Sequence, residues 1–230
     1  MKVLAFDTAL DACSVAVCET DRVIAHRHEV LSKGHAERLV PMIELVLADA
    51  AMRFQDIDLV AVTVGPGTFT GIRIGLSAAR GIALTTGVRI AGVTTLAAIA
   101  EGARRLALVE EGSAIAVLHD AHRAELFCQI FSADAGSSPP PPELIALTDA
   151  VSMIPVGPAM VVGSGVRQVA DQILKHRPDV LFSDAPINPD AICVAGIGTR
   201  QARLGIVGIT PPEPLYLRAP DARLPGKRSK

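Results

Sequence analysis

The 230-residue sequence is poor in aromatic side chains, with no tryptophan, one tyrosine and six phenylalanines. Proteins that bind single-stranded nucleic acid without sequence preference stack its bases on aromatic side chains, so this scarcity argues against such a surface. Half of the residues are hydrophobic all the same. The chain is therefore expected to bury a sizeable core that is built mainly from aliphatic side chains.

Metal-binding cysteine pairs and long apolar segments are also missing. The four cysteines (Cys13, Cys18, Cys128 and Cys193) are scattered, with no Cys-x-x-Cys pair and no histidine at metal-ligand spacing. This pattern predicts reduced cysteines and a cytoplasmic location. No apolar run approaches the length of about 18 residues that a membrane-spanning helix needs. No signal peptide precedes the first predicted strand, so no membrane association is expected.

The charge is small overall but unevenly distributed. The formal net charge is −2, while residues 218–230 hold five basic side chains and one acid. The body of the chain is therefore acidic, which is not the footprint of a protein that grips nucleic acid by itself. The basic tail is interpreted as a solvated terminus, with steering toward RNA or an acidic partner as the alternative.

The densest pattern is the stretch VAVTVGPGTFTGIRIGLSAARGIALTTGVRIAG, from Val60 to Gly92. It predicts a buried strand, a glycine turn, a helix and a second short strand. The turn has no lysine, which excludes a P-loop, and it lacks the glycine spacing and the downstream acid of a Rossmann fingerprint. A helix N-terminus that cradles an anion stays possible, but backbone geometry and packing explain the glycines better.

The helix in this stretch has an unusually bare face. Gly71, Gly75 and Ala79 follow one another at four-residue intervals, and a glycine inside a helix costs about 1 kcal/mol relative to alanine. Close approach of another backbone is the usual reason for that cost. The face either packs inside its own domain or docks a helix of a partner. The second interpretation predicts that Gly75→Leu abolishes partner binding and leaves the fold intact.

These residues carry a resemblance. The turn and helix GPGTFTGIRIGLSAARGIAL resemble the signature of the bacterial TsaB (YeaZ) family, which supplies non-catalytic subunits to the machinery that makes threonylcarbamoyladenosine in tRNA. Four more segments are similar to the family in the same order: LAFDTALDACSVAV, HAERLVPMIELVL, GVTTLAAIA and EPLYLR. Several motifs in the right order are far more specific than any one of them.

The resemblance implies a set of partners. The chain is expected to dimerise with a metal-bearing catalytic homologue of the TsaD type, which transfers a threonylcarbamoyl group to the adenosine adjacent to the anticodon. A P-loop ATPase subunit of the TsaE type, tRNA contact through the complex, and a homodimer in the absence of the partner are also implied. ATP with magnesium and a metal ion are then expected in the partner subunits, whereas this chain has no cofactor, metal or catalytic residue of its own.

The expected partner surface combines two helices. It consists of Leu39, Met42, Ile43 and Val46 on the first long helix and Gly71, Arg73, Ile74, Gly75, Ala78 and Ala79 on the second. The catalytic subunit carries a His-x-x-x-His metal pair. In this chain Leu39 stands four residues after His35, and no other such pair occurs.

The opening of the chain indicates the fold. A strand, a tight turn at Asp7 and Thr8, and a second strand resemble the start of the two-lobed actin-like ATPase fold (actin, Hsp70, sugar kinases), an α/β class with mixed sheets flanked by helices. Ala9 stands where a glycine would let the backbone approach phosphate, so Asp7 and Thr8 are only weak candidates for nucleotide binding. The predicted lobes are residues 1–100 and 101–210, with 211–230 rejoining the first.

Two enzymatic alternatives stay open. An actin-fold ATPase or sugar kinase with Asp7 in its phosphate turn predicts nucleotide affinity that Asp7→Ala removes. A glycoprotease, the label attached to relatives of this fold, needs a metal pair or an activated nucleophile that the sequence does not show.

Overall fold

Two five-stranded sheets with helices between and around them make up the computed structural model, which describes residues 1–106, 112–133 and 139–218. The first sheet has the strands β1 (Lys2–Asp7), β2 (Ala12–Glu19), β3 (Arg22–Val30), β4 (Leu59–Gly65) and β5 (Arg89–Thr94). The second has β6 (Ala114–Asp120), β7 (Glu125–Phe131), β8 (Glu143–Ala146), β9 (Ala159–Val162) and β10 (Leu181–Phe182).

Six α-helices lie in the described part of the chain. They are α1 (His35–Asp49), α2 (Phe69–Thr86), α3 (Thr95–Arg105), α4 (Ala150–Met153), α5 (Val166–His176) and α6 (Ala191–Arg203). Short 3₁₀ helices occupy Phe54–Asp56 and Leu147–Asp149. None of the helices in the described ranges is long and apolar enough to cross a membrane.

The two sheets have the same topology. In the first, the order is β3-β2-β1-β4-β5. Strand β2 is antiparallel to both β1 and β3, and β4 and β5 run parallel to β1. In the second, the order is β8-β7-β6-β9-β10, and these strands correspond in turn to β3, β2, β1, β4 and β5. Each pair of neighbours has the same relative direction as its counterpart in the first sheet. The chain is thus a structural duplication, and the predicted α/β class with two mixed sheets is confirmed.

The apolar side chains of the first sheet point alternately to its two faces and form a separate core cluster on each. On β1, Leu4 and Phe6 belong to a cluster on one face, and Val3 and Ala5 belong to a cluster on the other, as the two-residue period of a strand requires. The odd separation of Cys13 and Cys18 has the same effect, since the two thiols lie in different clusters. A third cluster fills the second sheet.

Side-chain caps set the starts of three helices. Thr68 accepts a hydrogen bond from the Gly71 amide at the start of α2, and Thr94 does the same for Ala97 at the start of α3. Asp190 caps α6 through the Ile192 amide. These caps satisfy amides that have no partner within the helix. Helix α1 continues through Pro41.

The C-terminal part of the described chain returns to the first sheet. Helix α6 packs on β1, β2, β4 and β5, although the predicted range 101–210 placed it in the second lobe. Gly198 permits this approach, because a Cβ there would lie 2.7 Å from the Cβ of Ala61 on β4. Beyond α6, the Leu215 amide donates to the Val64 carbonyl. The lobe boundaries themselves stay a prediction, and 219–230, including most of the basic tail, lie outside the described residues.

Candidate functional site

A groove of about 570 Å³ opens on the surface between α1 and α2. Both helices pack on the first sheet with their buried stripes, and their outer edges leave the groove between them. It is lined by Ala36, Leu39, Val40, Phe69, Thr70, Arg73, Ile74, Ser77 and Ala78. Two large apolar side chains in this lining, Val40 and Phe69, are each 52% exposed.

One wall of the groove is held by an aromatic and arginine stack. The Phe69 ring stacks on the Tyr216 ring with centroids 5.2 Å apart. The Arg73 guanidinium lies 3.8 Å above the Phe69 centroid, and its Nε donates to the Tyr216 hydroxyl at 3.0 Å. A cation over an aromatic face is attracted by the ring quadrupole. The C-terminal segment therefore fixes the rotamers of two exposed groove residues.

Only part of the predicted partner surface is accessible. Arg73 is exposed, and Ile74 and Ala78 are partly exposed in the groove. The predicted residues of α1, Leu39, Met42, Ile43 and Val46, are at most 1% exposed in the single chain, and their part in a partner surface stays a prediction. These side chains form the stripe that α1 buries against its own sheet, so they support the groove from beneath and present almost no surface to a partner.

The bare face of α2 also points inward. A Cβ on Gly71 would overlap the carbonyl oxygen of Thr8, and a Cβ on Gly75 would lie 2.9 Å from the Thr8 Oγ1 and 3.2 Å from the Val62 side chain. Ala79 has no exposed surface. Close packing inside the domain accounts for the small size of these three residues, and a direct part in docking stays a prediction. Gly75→Leu would disturb the fold itself.

The groove residues that the sequence did not single out lie beside the buried stripes. Val40 follows Leu39 directly, and Phe69 begins α2, one residue after its cap. Tyr216 stacks on Phe69 and accepts a hydrogen bond from Arg73. An apolar residue outside the helical stripe was the available signal for Val40 and Phe69.

Asp7, the weak nucleotide candidate, is enclosed by protein. Its Oδ1 accepts hydrogen bonds from the Thr63 hydroxyl at 2.6 Å and from the Ala9 amide at 3.2 Å, while Oδ2 has no partner. Burial raises the pKa of Asp7 to about 7, although both hydrogen bonds lower it. With no exposed surface, this carboxyl offers no oxygen to a solvent-borne metal–phosphate group.

Thr8 has a structural role in the same turn. Its hydroxyl donates to the Gly71 carbonyl of α2 at 2.7 Å, and the side chain is 1% exposed. The Ala9 carbonyl accepts from the Thr68 amide at 2.8 Å. The turn that would face phosphate in a nucleotide-binding chain is therefore closed by the start of α2.

Three histidines bear on metal ligation. The His35 ring lies 2.9 Å from the Leu10 carbonyl oxygen, so it holds α1 to the turn before β2. Within the described residues, His26, His28 and Asp190 form the group whose ligand atoms lie close enough to share one ion. None of these three lines the groove.

Comparison with known proteins adds a sequence relationship. Residues 22–138 match the family model of tRNA N6-adenosine threonylcarbamoyltransferase, TsaD. The chain is 42% identical to the tRNA threonylcarbamoyladenosine biosynthesis protein TsaB of Escherichia coli (strain K12), over 46% of this chain and 45% of that protein. It thus aligns with less than half the length of that relative. With the TsaB protein of Bacillus subtilis (strain 168) the identity is 26%, over 96% of both chains.

Comparison with solved structures supports the fold. YeaZ from Pseudomonas aeruginosa superimposes with a TM-score of 0.80 at 28% identity, covering 94% of this chain and 99% of that one. Component A of the (R)-2-hydroxyglutaryl-CoA dehydratase of Acidaminococcus fermentans gives a TM-score of 0.51 at 11% identity, over 88% of this chain and 99% of that one. The second likeness concerns the fold alone, and together they confirm the predicted actin-like ATPase fold.

Proposed function

The chain belongs to the TsaB (YeaZ) family, and from this premise we propose that it is a non-catalytic subunit in the biosynthesis of threonylcarbamoyladenosine in tRNA. It would act by dimerising with a metal-bearing catalytic homologue of the TsaD type and would meet tRNA through that complex. A P-loop ATPase subunit of the TsaE type belongs to the same proposal. ATP, magnesium and the catalytic metal ion would then reside in the partner subunits.

The observation that carries the docking role is the groove between α1 and α2. It is an apolar surface with an exposed aromatic ring and an arginine that is held in place by Tyr216. Aromatic and arginine side chains are the residues that most often dominate the binding energy of protein interfaces. Because Arg73 is already fixed, its side chain loses less freedom on binding than an unrestrained arginine would.

The chemistry of the partner follows from the family match. The model that matches residues 22–138 is that of the transferase itself, so a partner of that family would share the fold of this chain and carry counterparts of α1 and α2. The α1 and α2 pair of this chain and the corresponding pair of the partner are able to pack across a pseudo-twofold axis, with side chains of each pair in the groove of the other. The same geometry would allow a homodimer when the partner is absent.

The absence of catalysis in this chain is supported by the Asp7 turn. Its carboxyl is fully buried with Oδ1 hydrogen-bonded inside the domain, and the turn is closed by Thr8 and Thr68. An actin-fold ATPase needs this turn to be open to phosphate and a metal-bound water. The enclosed arrangement favours a subunit that retains the fold and has given up the nucleotide chemistry.

The docking proposal predicts that Val40→Glu weakens binding of the cognate catalytic homologue by roughly 30-fold or more, the loss typical of an interface hot spot. A buried, unpaired carboxylate on the groove wall would account for the loss. Val40 is half-exposed in the free chain, so the variant is expected to fold normally. Isothermal titration of purified wild-type and variant chains with the homologue measures the effect.

Leu45→Glu is the matched control. Leu45 is on the same helix and is 43% exposed, but it does not line the groove, so its replacement should leave the affinity unchanged. Equal affinity of wild type and Val40→Glu would place the interface elsewhere.

Titration with ATP and magnesium alone is a second experiment. Saturable binding by this chain that is lost in Asp7→Ala would favour the ATPase alternative. Sedimentation velocity of both glutamate variants reports whether a homodimer uses the groove.

A further inference from the structure

Two histidines share one face of an edge strand. His26 and His28 are two residues apart on β3, so both side chains leave the same face of the first sheet. In the sheet they stand opposite Ala16 and Ser14 of β2. Their side chains are about a quarter exposed.

Helix α6 brings a carboxylate to the same place. Asp190 is the N-cap of α6, and its Oδ1 accepts from the Ile192 amide at 2.7 Å. The same Oδ1 lies 3.1 Å from the His26 Nε2, and its Oδ2 lies 3.8 Å from the His28 Nδ1. Each carboxylate oxygen therefore faces a different imidazole. In the described part of the chain, the ion-pair partners of Asp190 are these two rings, with no arginine or lysine among them.

The distances suit a small divalent ion. The three donor atoms all lie within 4.8 Å of one another. Zinc binds imidazole nitrogen and carboxylate oxygen at about 2.0–2.2 Å, so two ligands of a tetrahedral ion are roughly 3.4 Å apart. The His26 Nε2 to Asp190 Oδ1 distance of 3.1 Å and the His28 Nδ1 to Asp190 Oδ2 distance of 3.8 Å are both close to that spacing. To share one ion, small side-chain rotations would bring a single carboxylate oxygen toward both imidazoles.

A buried serine lies beside the three side chains. Ser14 is fully buried, and its hydroxyl oxygen accepts from the Ala191 amide at 3.0 Å and lies 3.5 Å from the His26 Nε2.

We propose that His26, His28 and Asp190 bind a divalent transition-metal ion of the zinc class, with water completing the coordination. Two imidazoles and one carboxylate are a ligand set that Zn²⁺, Co²⁺ and Ni²⁺ accept. The ion would clamp the edge strand β3 to the start of α6, two elements that are 160 residues apart in the chain. The role is structural, and the site lies apart from the groove. It differs from the sequence-based expectation that the chain holds no metal ligands.

Titration of the full-length, tag-free chain with Co²⁺ and Zn²⁺ tests the proposal. We expect one equivalent of Co²⁺ to bind with visible ligand-field bands and without sulfur-to-cobalt charge transfer, because the four cysteines are buried. One equivalent of Zn²⁺ should displace it. Thermal unfolding in the presence of Zn²⁺ should shift to higher temperature, since an ion that binds only the folded chain stabilises it.

Two ligand variants and one control locate the ion. Asp190→Asn keeps a good helix cap and removes the anionic ligand, while His28→Gln removes one imidazole at the sheet edge. Each should weaken Co²⁺ binding by about tenfold or more. His176→Gln, at an exposed histidine on α5, should bind as the wild type does.

Three results would overturn the site. They are no saturable binding by the wild type, the same affinity in Asp190→Asn and His28→Gln as in the wild type, and equal loss in the His176→Gln control. Circular dichroism checks that each variant is folded. If one ligand variant does not fold, the other and the wild-type cobalt spectrum still decide.

Discussion

At the residue scale, Asp7 connects the enclosed turn to a measurable pH dependence. Burial raises the pKa of its carboxyl from the ordinary 3.8 to about 7, the hydrogen bonds from Thr63 and Ala9 oppose the rise, and the charge of Asp190 adds to it. The folded chain therefore binds this proton more tightly than the unfolded chain does. The stability that comes from the protonated form is complete below about pH 4 and is lost as the pH rises through 7.

Asp7→Asn is expected to remove that loss. Asparagine is neutral at all these pH values and keeps an oxygen acceptor for the Thr63 hydroxyl and the Ala9 amide. Between pH 5 and pH 8 the wild type should lose on the order of 2–3 kcal/mol of unfolding free energy relative to the variant. Urea unfolding at both pH values gives the difference.

Asp171→Asn, at an exposed position on α5, is the control for this measurement and should follow the wild type. Parallel pH dependence of the wild type and Asp7→Asn would show that Asp7 is already ionised in the folded protein at pH 5. In that case the seal around the turn is looser than the hydrogen bonds indicate, and nucleotide binding at Asp7 would need a direct test.

At the element scale, α2 is shaped by the loop beneath its first turns. Its glycines differ in what surrounds them: Gly71 faces the Thr8 carbonyl, whereas nothing lies within 4 Å of a Cβ at Gly81. A glycine of the first kind is required by close packing, and one of the second kind only weakens the helix. The two positions separate packing from intrinsic helix propensity within a single helix.

Gly71→Ala and Gly81→Ala are expected to change stability in opposite directions. The added methyl at Gly71 must displace backbone, which should cost roughly 2–3 kcal/mol, in the upper range of overpacked cores. The same methyl at Gly81 should stabilise by up to about 1 kcal/mol. Urea midpoints of the two variants and the wild type measure both effects. A neutral Gly71→Ala would mean that the turn and α2 are not in contact in solution.

At the scale of the whole molecule, the two lobes are joined through shared packing. The main core cluster contains Ile115 and Val117 of β6 and Val162 of β9 together with side chains of the first sheet. The chain also crosses between lobes near its end. The Leu215 amide bonds to β4, and Arg218 donates to the Ala121 carbonyl and pairs with Glu125 at the second sheet. These links predict that the lobes unfold together.

Ile173→Ala tests this cooperativity. Ile173 is fully buried in the core of the second sheet, and its truncation should cost about 2–5 kcal/mol. The fluorescence of Tyr216, the one tyrosine of the chain, reports on the groove beside the first sheet. The midpoint temperature of the Tyr216 fluorescence transition should be lowered to the same value as the midpoint of the circular dichroism transition of the whole chain.

Leu174→Ala, at the neighbouring position that is 44% exposed, should move both transitions only slightly. A Tyr216 transition that stays at the wild-type temperature in Ile173→Ala would show that the lobes unfold independently. The shared core would then be too weak to couple them, and each lobe would have a stability of its own.

The local sequence determined most of the secondary structure and the distinction between faces. The strand, helix and second strand predicted between Val60 and Gly92 correspond to β4, α2 and β5. Periodicity is a local property, so an apolar stripe or an alternating strand is visible within about 10 residues. The motif order likewise sufficed for the family and the fold class.

The tertiary structure decided which surface each face meets. A bare helix face requires close approach by some backbone, and the sequence does not tell whether that backbone belongs to Thr8 or to a partner. His26 and His28 lie two residues apart in the sequence, but Asp190 joins them only through the packing of α6. Contacts between residues far apart in the chain depend on the sum of many packing interactions, so no local pattern encodes them.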